Sequence, residues 1–424
     1  MLKEEFRKKR LRSFTLHSAV AILFFNLFFP SFNNLFDPTG RMGFAIHSAL
    51  LLLLLTSYLL VSRRKITATV SIYLAVYMLM TINILYTSYI SNDLAVRDLF
   101  EIMRPTLFFL SLWFGYEFSR LINDADTLFL KILCQFVLAI VIISLILYFS
   151  PKAIREVVAS FYNKPTLIIM NRSAGTFVNP YDYALIASLL FTYSYIRFVN
   201  SGRKVYAVTC LLVALTIALS QSKIGFILLV SSLFLTSTLL YFGGRHDGSS
   251  CLRRKIRLSF VPLTFIALSS AGFFYFYDEI RYLAHGITKL LEGGDKSTQI
   301  RAQQIADGFS IWLSSIPHIL FGAGAMKSAG MYFENLYVLY IVRYGLLGVI
   351  ILIFSLFVPL AMAFKLWIKE HTEAKLTAVI FICNVIISGI ANNNIDQMRI
   401  TLIYFMLVGI IMHQGKERNY KCSR

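Results

Sequence analysis

Apolar runs of about 20 residues recur along the whole chain, and they limit what it can fold into more than any other feature. Of its 424 residues, 57% are hydrophobic and 15% are charged, whereas soluble domains carry about 25% charged residues. A helical run of this length matches the hydrocarbon core of a bilayer, and a transmembrane barrel would show alternating segments of about 10 residues instead. The sequence therefore predicts an all-α polytopic membrane protein that forms a single integral membrane domain over residues 1–424.

We predict about 12 spans, so both termini lie on one side of the membrane. Cytoplasmic loops are enriched in lysine and arginine, and the termini with the five loops assigned to their side hold 26 of the 41 such residues. Both termini are therefore expected in the cytoplasm. The predicted spans cover residues 14–31, 43–62, 66–86, 103–121, 128–149, 181–199, 205–220, 223–242, 258–276, 334–364, 376–391 and 398–413.

The net charge of +19 would indicate a nucleic-acid partner in a soluble protein. In a membrane protein the enrichment of cytoplasmic loops in basic residues explains it, and we expect no nucleic-acid partner. The five cysteines follow no spacing typical of a disulfide framework or a zinc site. The first apolar run lacks a small-x-small cleavage pattern, and we interpret it as a span rather than a signal peptide.

Two long segments are predicted on the external side, at residues 150–180 and 277–333. Both mix apolar and basic residues and are poor in low-complexity sequence, so we expect ordered loops that lie in the membrane interface. Loops of this length are usually functional in a compact protein. Within the second loop, residues Gln299 to Leu313 are expected to form an amphipathic helix that breaks before Pro317.

The external side carries more cations than membrane topology predicts. Arginine grips phosphate through a planar set of donors and keeps its proton, so two or three converging cations would bind a diphosphate without a metal. Contact with anionic lipid headgroups is the alternative, and it is the better explanation for most single residues. The predicted external cations are Lys152, Arg155, Lys164, Arg172, Lys223, Arg281, Lys289, Lys296, Arg301 and Lys327, with Arg343 inside a span.

Three of these cations are assigned to substrate binding because of their positions. Arg172 lies shortly before Asn179-Pro180, a turn signal that should start a helix near Tyr181. Lys223 lies in a tight connection between two spans, where a snorkelling anchor is the alternative. Arg301 leads the expected amphipathic helix.

Glu334 is the best candidate for a catalytic base, because it opens an apolar run at the external interface. Its spacing from Gly345 and Gly348 places all three on one helical stripe. The alternative is a carboxylate favoured by the positive end of the helix dipole. Arg343 lies about 13 Å deeper on the opposite face, so it should not pair with Glu334. A buried arginine in a membrane is either functional or paired with another helix.

Other polar residues allow two interpretations each. His285 and His318 are candidate bases, but each stands alone in the sequence. The polar segment from Asn392 to Asn394, with Asp396 and Arg399, either lines the same site or forms a tight external turn. The sequence contains no Walker A, Rossmann glycine, paired-aspartate or HExxH motif, which argues against an ATP-driven pump and against a metal-dependent nucleotide-sugar transferase.

Four short motifs follow one another between Arg172 and Gly348. Their residues are Arg172, Gly175, Phe177, Asn179 and Pro180; Ser222, Lys223 and Gly225; Arg301, Trp312, Pro317, Phe321, Gly322 and Gly324; and Glu334, Asn335, Gly345 and Gly348. In order and topology this series resembles the O-antigen polymerase and O-antigen ligase superfamily of bacterial envelope glycosyltransferases. Where ligases carry a histidine, this chain has Glu334, which favours a polymerase over a ligase.

The resemblance implies a GT-C-like enzyme of the bacterial inner membrane that acts on the periplasmic side. Its donor would be a glycan linked to undecaprenyl diphosphate, and it would need no nucleotide, metal or other cofactor. Its acceptor would be a sugar hydroxyl of the next lipid-linked repeat unit. Membrane lipid and a chain-length regulator would be its other partners.

The same resemblance assigns roles to individual residues. Arg172, Lys223 and Arg301 would bind the diphosphate, and Glu334 would act on the acceptor hydroxyl as base or orienting group. The remaining predicted substrate-binding residues are Arg343, Asn335 and Tyr337. Tyr332, Tyr337, Tyr340 and Trp312 either stack on sugars or anchor the helices at the interface.

Two other functions stay open at this point. A ligase would transfer finished glycan onto the lipid A core. A flippase or transporter would carry its charges on several helices at the membrane midplane, whereas most polar candidates here fall in predicted external loops. A purely structural scaffold fits least, given two long loops that are expected to be ordered.

Overall fold

The computed structural model describes residues 2–30, 41–62, 66–90, 100–162, 172–243, 258, 296–325 and 333–422, and these residues are helical almost throughout, without a β-strand. The helices are α1 (Leu2–Phe28), α2 (Arg41–Ser62), α3 (Ala68–Ile90), α4 (Met103–Leu121), α5 (Ala125–Phe149), α6 (Lys152–Tyr162), α7 (Pro180–Ser201), α8 (Lys204–Leu219), α9 (Lys223–Gly243), α10 (Lys296–Trp312), α11 (Ile316–Phe321), α12 (Leu336–Leu352), α13 (Val358–Glu370), α14 (Glu373–Gly389) and α15 (Met398–Cys422).

The chain is an all-α membrane protein. In the described residues, six stretches are long and apolar enough to cross a membrane by length and composition: Lys9–Phe28, Ala68–Ile90, Ala125–Phe149, Lys223–Gly243, Leu336–Glu370 and Met398–Lys416. Eleven of the predicted spans fall on described helices, and the span at 258–276 lies outside the described residues apart from Leu258. That all 12 cross the bilayer stays a prediction.

The outer faces of these helices are apolar, as lipid contact requires. On α3, the exposed fractions of Ile72, Met78 and Ile82 are 54%, 54% and 59%. Exposing these side chains to water instead of lipid would cost about 25 cal/mol of free energy per Å² of apolar surface. Exposed apolar patches of this kind mark membrane contact. Burial and exposure on α3 therefore separate a protein-facing side from a lipid-facing side.

The chain forms two compact units. Unit 1 comprises Met1–Ile132, Ile300–Met362 and Gly389–Arg424, and unit 2 comprises Leu133–Gln299 and Ala363–Ser388.

The centre of unit 1 is α15. Its apolar window is 83% buried, against 33–44% for the other five candidate spans. Its closest neighbour is α4, because two glycines let the backbones touch. A Cβ added at Gly115 would overlap the carbonyl oxygen of Met406, and one at Gly409 would overlap that of Leu112. Small residues at such crossings are typical of helix pairs in membranes.

A π-helical turn, Ile353–Phe357, joins α12 to α13. Such a turn shifts the hydrogen-bond ladder of the helix, and tyrosines of unit 1 bond the carbonyls within it. Tyr404 donates to the Ser355 oxygen at 2.7 Å, and Tyr73 donates to the Phe354 oxygen at 3.2 Å. Polar groups at membrane depth are thereby satisfied within the protein.

Unit 2 is built around α7, whose residues from Asp182 to Ile196 are buried. It begins at Pro180 after Asn179, in agreement with the helix start expected near Tyr181. A buried amide links it to α9 and α14: Asn384 donates to Ser188 at 3.1 Å and to Ser232 at 2.7 Å. Hydrogen bonds of this kind join helices where lipid offers no polar partner.

Two amphipathic helices lie in the predicted external loops. On α6 the apolar residues Ile154, Val157 and Phe161 are exposed at spacings of three and four, a pattern typical of a helix that lies in the membrane interface. α10 ends at Trp312, in agreement with the break that the sequence predicted before Pro317, and Pro317 itself lies in the first turn of α11. The placement of both loops outside the membrane stays a prediction.

Replacing Gly115 with alanine should destabilise the protein, because the new methyl group would overlap the backbone of α15. Overpacking typically costs about 1–3 kcal/mol, and a backbone oxygen cannot move aside as a side chain can. We expect a lower thermal unfolding midpoint in detergent micelles. Ala75→Leu, at an exposed position of α3, should leave the midpoint unchanged, and equal midpoints for the two variants would refute the crossing.

Candidate functional site

Glu334 and Arg301 form an ion pair in unit 1. Arg301 Nε donates to Glu334 Oε2 at 2.7 Å, and the two side chains are 28% and 33% exposed. Arg301 projects from the first half of α10, and Glu334 lies two residues before α12 begins. The sequence therefore identified two groups that the fold brings together. Both remain accessible to a ligand from outside.

Glu334 is not part of a continuous stripe with the two glycines, and that prediction was wrong. Its backbone precedes the N-cap of α12, and Gly345 adopts a non-helical conformation with φ 59° and ψ −141°. The 3.6-residue periodicity that linked these positions therefore does not run through them. The spacing rule failed because it assumed one unbroken helix over residues 334–364.

Asn335 is the residue directly before α12, and Tyr337 lies in the first turn of that helix. The side-chain oxygen of Asn335 accepts from the backbone nitrogens of Tyr337 and Val338 at 2.9 and 3.1 Å, and its amide nitrogen donates to Ile390 at 2.8 Å. Asn335 is thus a helix cap that also ties α12 to the segment after α14. Tyr337 is half-buried. Substrate contacts by either residue stay predictions.

The break at Gly345 leaves two carbonyl groups of α12 without partners inside the helix. The glycine-rich turn after α11 supplies the donors for both. Ala323 N–H donates to the Val342 oxygen at 2.7 Å, and Gly324 N–H donates to the Arg343 oxygen at 3.3 Å. A Cβ added at Gly322 would overlap the Arg343 backbone. Non-helical backbone inside a membrane protein needs partners of this kind, so the Gly322–Gly324 turn and the broken helix fit each other.

Beside the break lies a buried network of four charges. Glu101 and Asp396 are the acids, and Arg104 and Arg343 are the bases. Glu101 Oε2 lies 3.1 Å from both an Arg104 nitrogen and an Arg343 nitrogen, and Arg104 also pairs with Asp396. The carboxylate side chains are 1% and 2% exposed. Two positive and two negative charges balance, which buried ions require.

Arg343 therefore bonds Glu101 and does not pair with Glu334, as expected. Its side chain is 7% exposed. Of the two interpretations that the sequence left open, this burial favours a structural partner over direct contact with a diphosphate. Tyr340 donates to Asp396 at 2.8 Å and is fully buried, so the sugar-stacking role considered for Tyr340 is wrong.

The polar segment before α15 has a structural explanation. Asp396 belongs to the four-charge network, and Arg399 donates to the Phe29 oxygen at 2.7 Å. Asn26 in turn donates to the Arg399 oxygen at 3.0 Å. These bonds fasten the start of α15 to the end of α1, so this segment is more than the simple external turn that the sequence allowed.

In unit 2, Arg172 precedes α7 in sequence, and its side chain contacts the C-terminal end of α8. Its Nε donates to the Ser220 oxygen at 2.9 Å and its Nη2 to the Gln221 oxygen at 3.1 Å, and the residue is 7% exposed. Carbonyls at a helix C-terminus lack partners within the helix, and an arginine can supply them. Arg172 therefore holds the connection that leads into Lys223, the half-buried first residue of α9.

The predicted cations thus divide between the units. Arg301 and Arg343 lie in unit 1 and Arg172 and Lys223 in unit 2, so the convergence of Arg172, Lys223 and Arg301 on one diphosphate stays a prediction. Trp312 donates to the Ile319 oxygen at 3.1 Å, and His318 Nδ1 lies 2.8 Å from Ser314 Oγ. Tyr332 and His285 lie outside the described residues.

Sequence reasoning missed several residues of unit 1. Glu101 and Arg104 stand three residues apart at the start of a predicted span, where paired charges indicate a buried partner, but they were not singled out. Gln304 accepts the Glu334 N–H at 3.2 Å, and Gly308 lies against Val338. These two contacts join segments about 30 residues apart, and local patterns carry no signal for such pairs.

A scan against protein-family models finds no match, and a search of curated proteins finds no similar sequence. Among the residues that the structure describes, no group of three or more His, Cys, Asp or Glu side chains is arranged to hold a metal ion. The chemistry of the site therefore follows from the Arg301 guanidinium and the Glu334 carboxylate. An accessible guanidinium can bind an anionic ligand, and the carboxylate beside it can accept a proton from a nearby hydroxyl.

Replacing Arg172 with lysine should destabilise the protein almost as much as replacing it with alanine. One ammonium group cannot bridge two carbonyls as the planar guanidinium does, and a buried polar group left without its partner costs about 1–3 kcal/mol. Thermal unfolding in micelles measures the effect. Arg203→Lys, exposed before α8, is the matched control, and a wild-type midpoint for Arg172→Lys would contradict the capping role.

Glu101→Gln should destabilise unit 1 strongly, since it leaves the buried Arg343 and the 16% exposed Arg104 facing one carboxylate. Removing one partner of a buried ion pair costs about 3–5 kcal/mol. Adding Arg343→Gln restores neutrality and should recover part of the loss. Denaturant unfolding of the purified variants gives both values, with Glu156→Gln on the exposed face of α6 as control. A single variant as stable as this control would show that charge balance does not matter.

Proposed function

We propose that the protein is a polymerase of a bacterial surface polysaccharide, of the O-antigen type. It would join repeat units linked to undecaprenyl diphosphate on the periplasmic side of the inner membrane, with both termini in the cytoplasm. The membrane-embedded fold supports a substrate that carries a polyprenyl chain. The order of motifs from Arg172 to Gly348 supports the reaction class.

The observation that carries this proposal is the Arg301–Glu334 pair. It combines a group that binds phosphate with a group that accepts a proton, 2.7 Å apart and each about one-third exposed. Arg301 offers further N–H groups beyond the Nε that bonds Glu334, because a guanidinium carries five. A diphosphate that takes over Arg301 would release the carboxylate for the acceptor. Binding and activation would then be coupled through one contact.

The proposed reaction is a single glycosyl transfer. The bond between the anomeric carbon of the growing chain and the oxygen of undecaprenyl diphosphate breaks, and the electron pair stays with the diphosphate. The acceptor hydroxyl oxygen of the incoming repeat unit forms the new bond to that carbon, and its proton passes to Glu334. Negative charge grows on the diphosphate as the bond breaks, so a fixed cation stabilises the transition state more than the ground state.

The cations of unit 2 have distinct parts in this proposal. Lys223 begins α9, and the resemblance assigns its ammonium group to the leaving diphosphate. Arg172 acts through that position, because its guanidinium already bonds two carbonyls of the α8–α9 connection. Its contribution to catalysis would therefore come from holding Lys223 in place.

Purified protein in liposomes, supplied with lipid-linked repeat units and no nucleotide, should produce a ladder of polymer lengths. Glu334→Gln and Arg301→Ala should abolish the ladder while the protein stays folded in the membrane. General base catalysis contributes about 10²–10⁴-fold, and each variant removes one of the two required groups. Gel separation of the labelled products provides the measurement.

Matched controls come from the same part of the chain. Asp307→Asn removes an exposed carboxylate of α10 that bonds Gln303, and Lys152→Ala removes a cation that is 71% exposed. Both should leave the ladder intact. An unaltered ladder with Glu334→Gln would remove Glu334 from the mechanism, and the absence of polymer with the wild-type protein would refute the polymerase.

One observation favours a second function, that of a flippase for lipid-linked glycans. α12 is interrupted at Gly345 beside buried charges on separate helices, and discontinuous helices are typical of binding sites in transporters. A flippase would move labelled lipid-linked units across the liposome bilayer without joining them. A ligase would give product only when lipid A core is added.

A further inference from the structure

One face of α10 docks on the segment that carries Glu334. Its members are Arg301, Gln304 and Gly308, which are spaced by three and four residues and therefore share a helix face. Arg301 bonds the Glu334 carboxylate, and Gln304 bonds the backbone of the same residue. Two different groups of Glu334 are thus held by two neighbouring turns of one helix.

Gly308 sets how closely α10 approaches α12. A Cβ at this position would overlap the Val338 side chain and would lie 3.2 Å from both Phe333 and Val342. The residue is buried, whereas its neighbours Asp307 and Phe309 are exposed. A larger side chain would push α10 outward and lengthen the contacts of Arg301 and Gln304 one to two turns away.

The opposite face of α10 does not take part in this docking. Gln303 is exposed and donates to Asp307 of the same helix at 2.7 Å. Two adjacent glutamines therefore have different surroundings: Gln304 faces Glu334, and Gln303 lies along the outer side. Substituting Gln304 removes a docking contact, whereas substituting Gln303 removes a glutamine from the same turn without touching the docked face. Comparing the two variants therefore isolates the effect of docking.

We propose that Gln304 and Gly308 are positioning residues for Glu334, and that docking of this α10 face fixes where the carboxylate stands. The catalytic consequence of this inference rests on the proposed function. The positioning itself rests on the contacts of Glu334 with Arg301 and Gln304. Glu334 lies outside α12, so the helix does not fix it. The Gln304 side chain fixes its backbone, and Arg301 fixes its carboxylate until a phosphate takes that guanidinium.

Once Arg301 is bound to diphosphate, Gln304 would be left as the contact from α10 to Glu334. Its loss should therefore affect the chemical step more than substrate binding. We expect Gln304→Ala to lower kcat by about tenfold to 10²-fold, the range that a misplaced catalytic group produces, with KM close to that of the wild type. Gln304→Glu keeps an acceptor for the Glu334 N–H and should retain more activity than Gln304→Ala.

Gln303→Ala is the matched control and should behave as wild type in the polymer assay. Gly308→Ala should reproduce the kcat defect of Gln304→Ala, and Ala306→Ser on the exposed side should not. Equal kcat values for Gln304→Ala and Gln303→Ala, in a protein that makes polymer, would overturn the proposal. So would a defect confined to KM, because it would indicate a substrate contact.

A disulfide cross-link tests the positioning without any activity. In a protein whose native cysteines are replaced by serine, Gly308→Cys with Val338→Cys should cross-link readily, because Val338→Cys removes the methyl group that a Cβ at residue 308 would overlap. Ala306→Cys with Val338→Cys should not cross-link. Adding Gln304→Ala should lower the yield of the first pair, and adding Gln303→Ala should leave it unchanged. If Gln304→Ala leaves the cross-link yield unchanged, the positioning role is wrong whether or not polymer forms.

The two failures are therefore distinguishable. A wild-type protein that makes no polymer refutes the polymerase, while the cross-link yields still decide whether Gln304 and Gly308 position Glu334. A protein that makes polymer but shows no dependence of the cross-link on Gln304 keeps the proposed function and loses this inference.

Discussion

A charge inside a bilayer needs a partner of opposite sign, and unit 1 is arranged around that requirement. Glu101 and Arg104 from one segment, Arg343 from a second and Asp396 from a third form one neutral network, and the three segments are far apart in sequence. Because each ion is stable only beside the others, the network fixes the relative positions of the starts of α4 and α15 and the middle of α12. The accessible Arg301–Glu334 pair lies at the start of α12, on a helix that is already held in place.

Arginine serves three different purposes in this chain. Arg343 balances a buried acid, Arg172 caps a helix through two carbonyls, and Arg301 remains about one-third accessible beside a carboxylate. From the sequence all three were candidate substrate-binding residues, because composition cannot separate a guanidinium with protein partners from one that faces a ligand. Burial makes the distinction, and it concentrates the proposed chemistry on Arg301 and Glu334.

Much of the helical architecture was predictable, since apolar runs and turn signals are local. The start of α7 followed from Asn179-Pro180 and the end of α10 from the break expected before Pro317, and Asn335 follows the ordinary chemistry of a helix cap. The break at Gly345 was not predictable, because its stability comes from the Gly322–Gly324 turn that fits against it. The contact of Gln304 with Glu334 was also missed, because it joins positions 30 residues apart whose neighbours show no shared pattern.

The burial of α15 has a consequence for biosynthesis. This helix is at the centre of unit 1, yet it leaves the ribosome after all the helices that pack around it. Until it arrives, Gly115 has no neighbour to approach, and Glu101, Arg104 and Arg343 carry an excess positive charge that Asp396 later neutralises. The earlier helices must therefore pack more loosely in the membrane until then, and this unit can close only after α15 has been made.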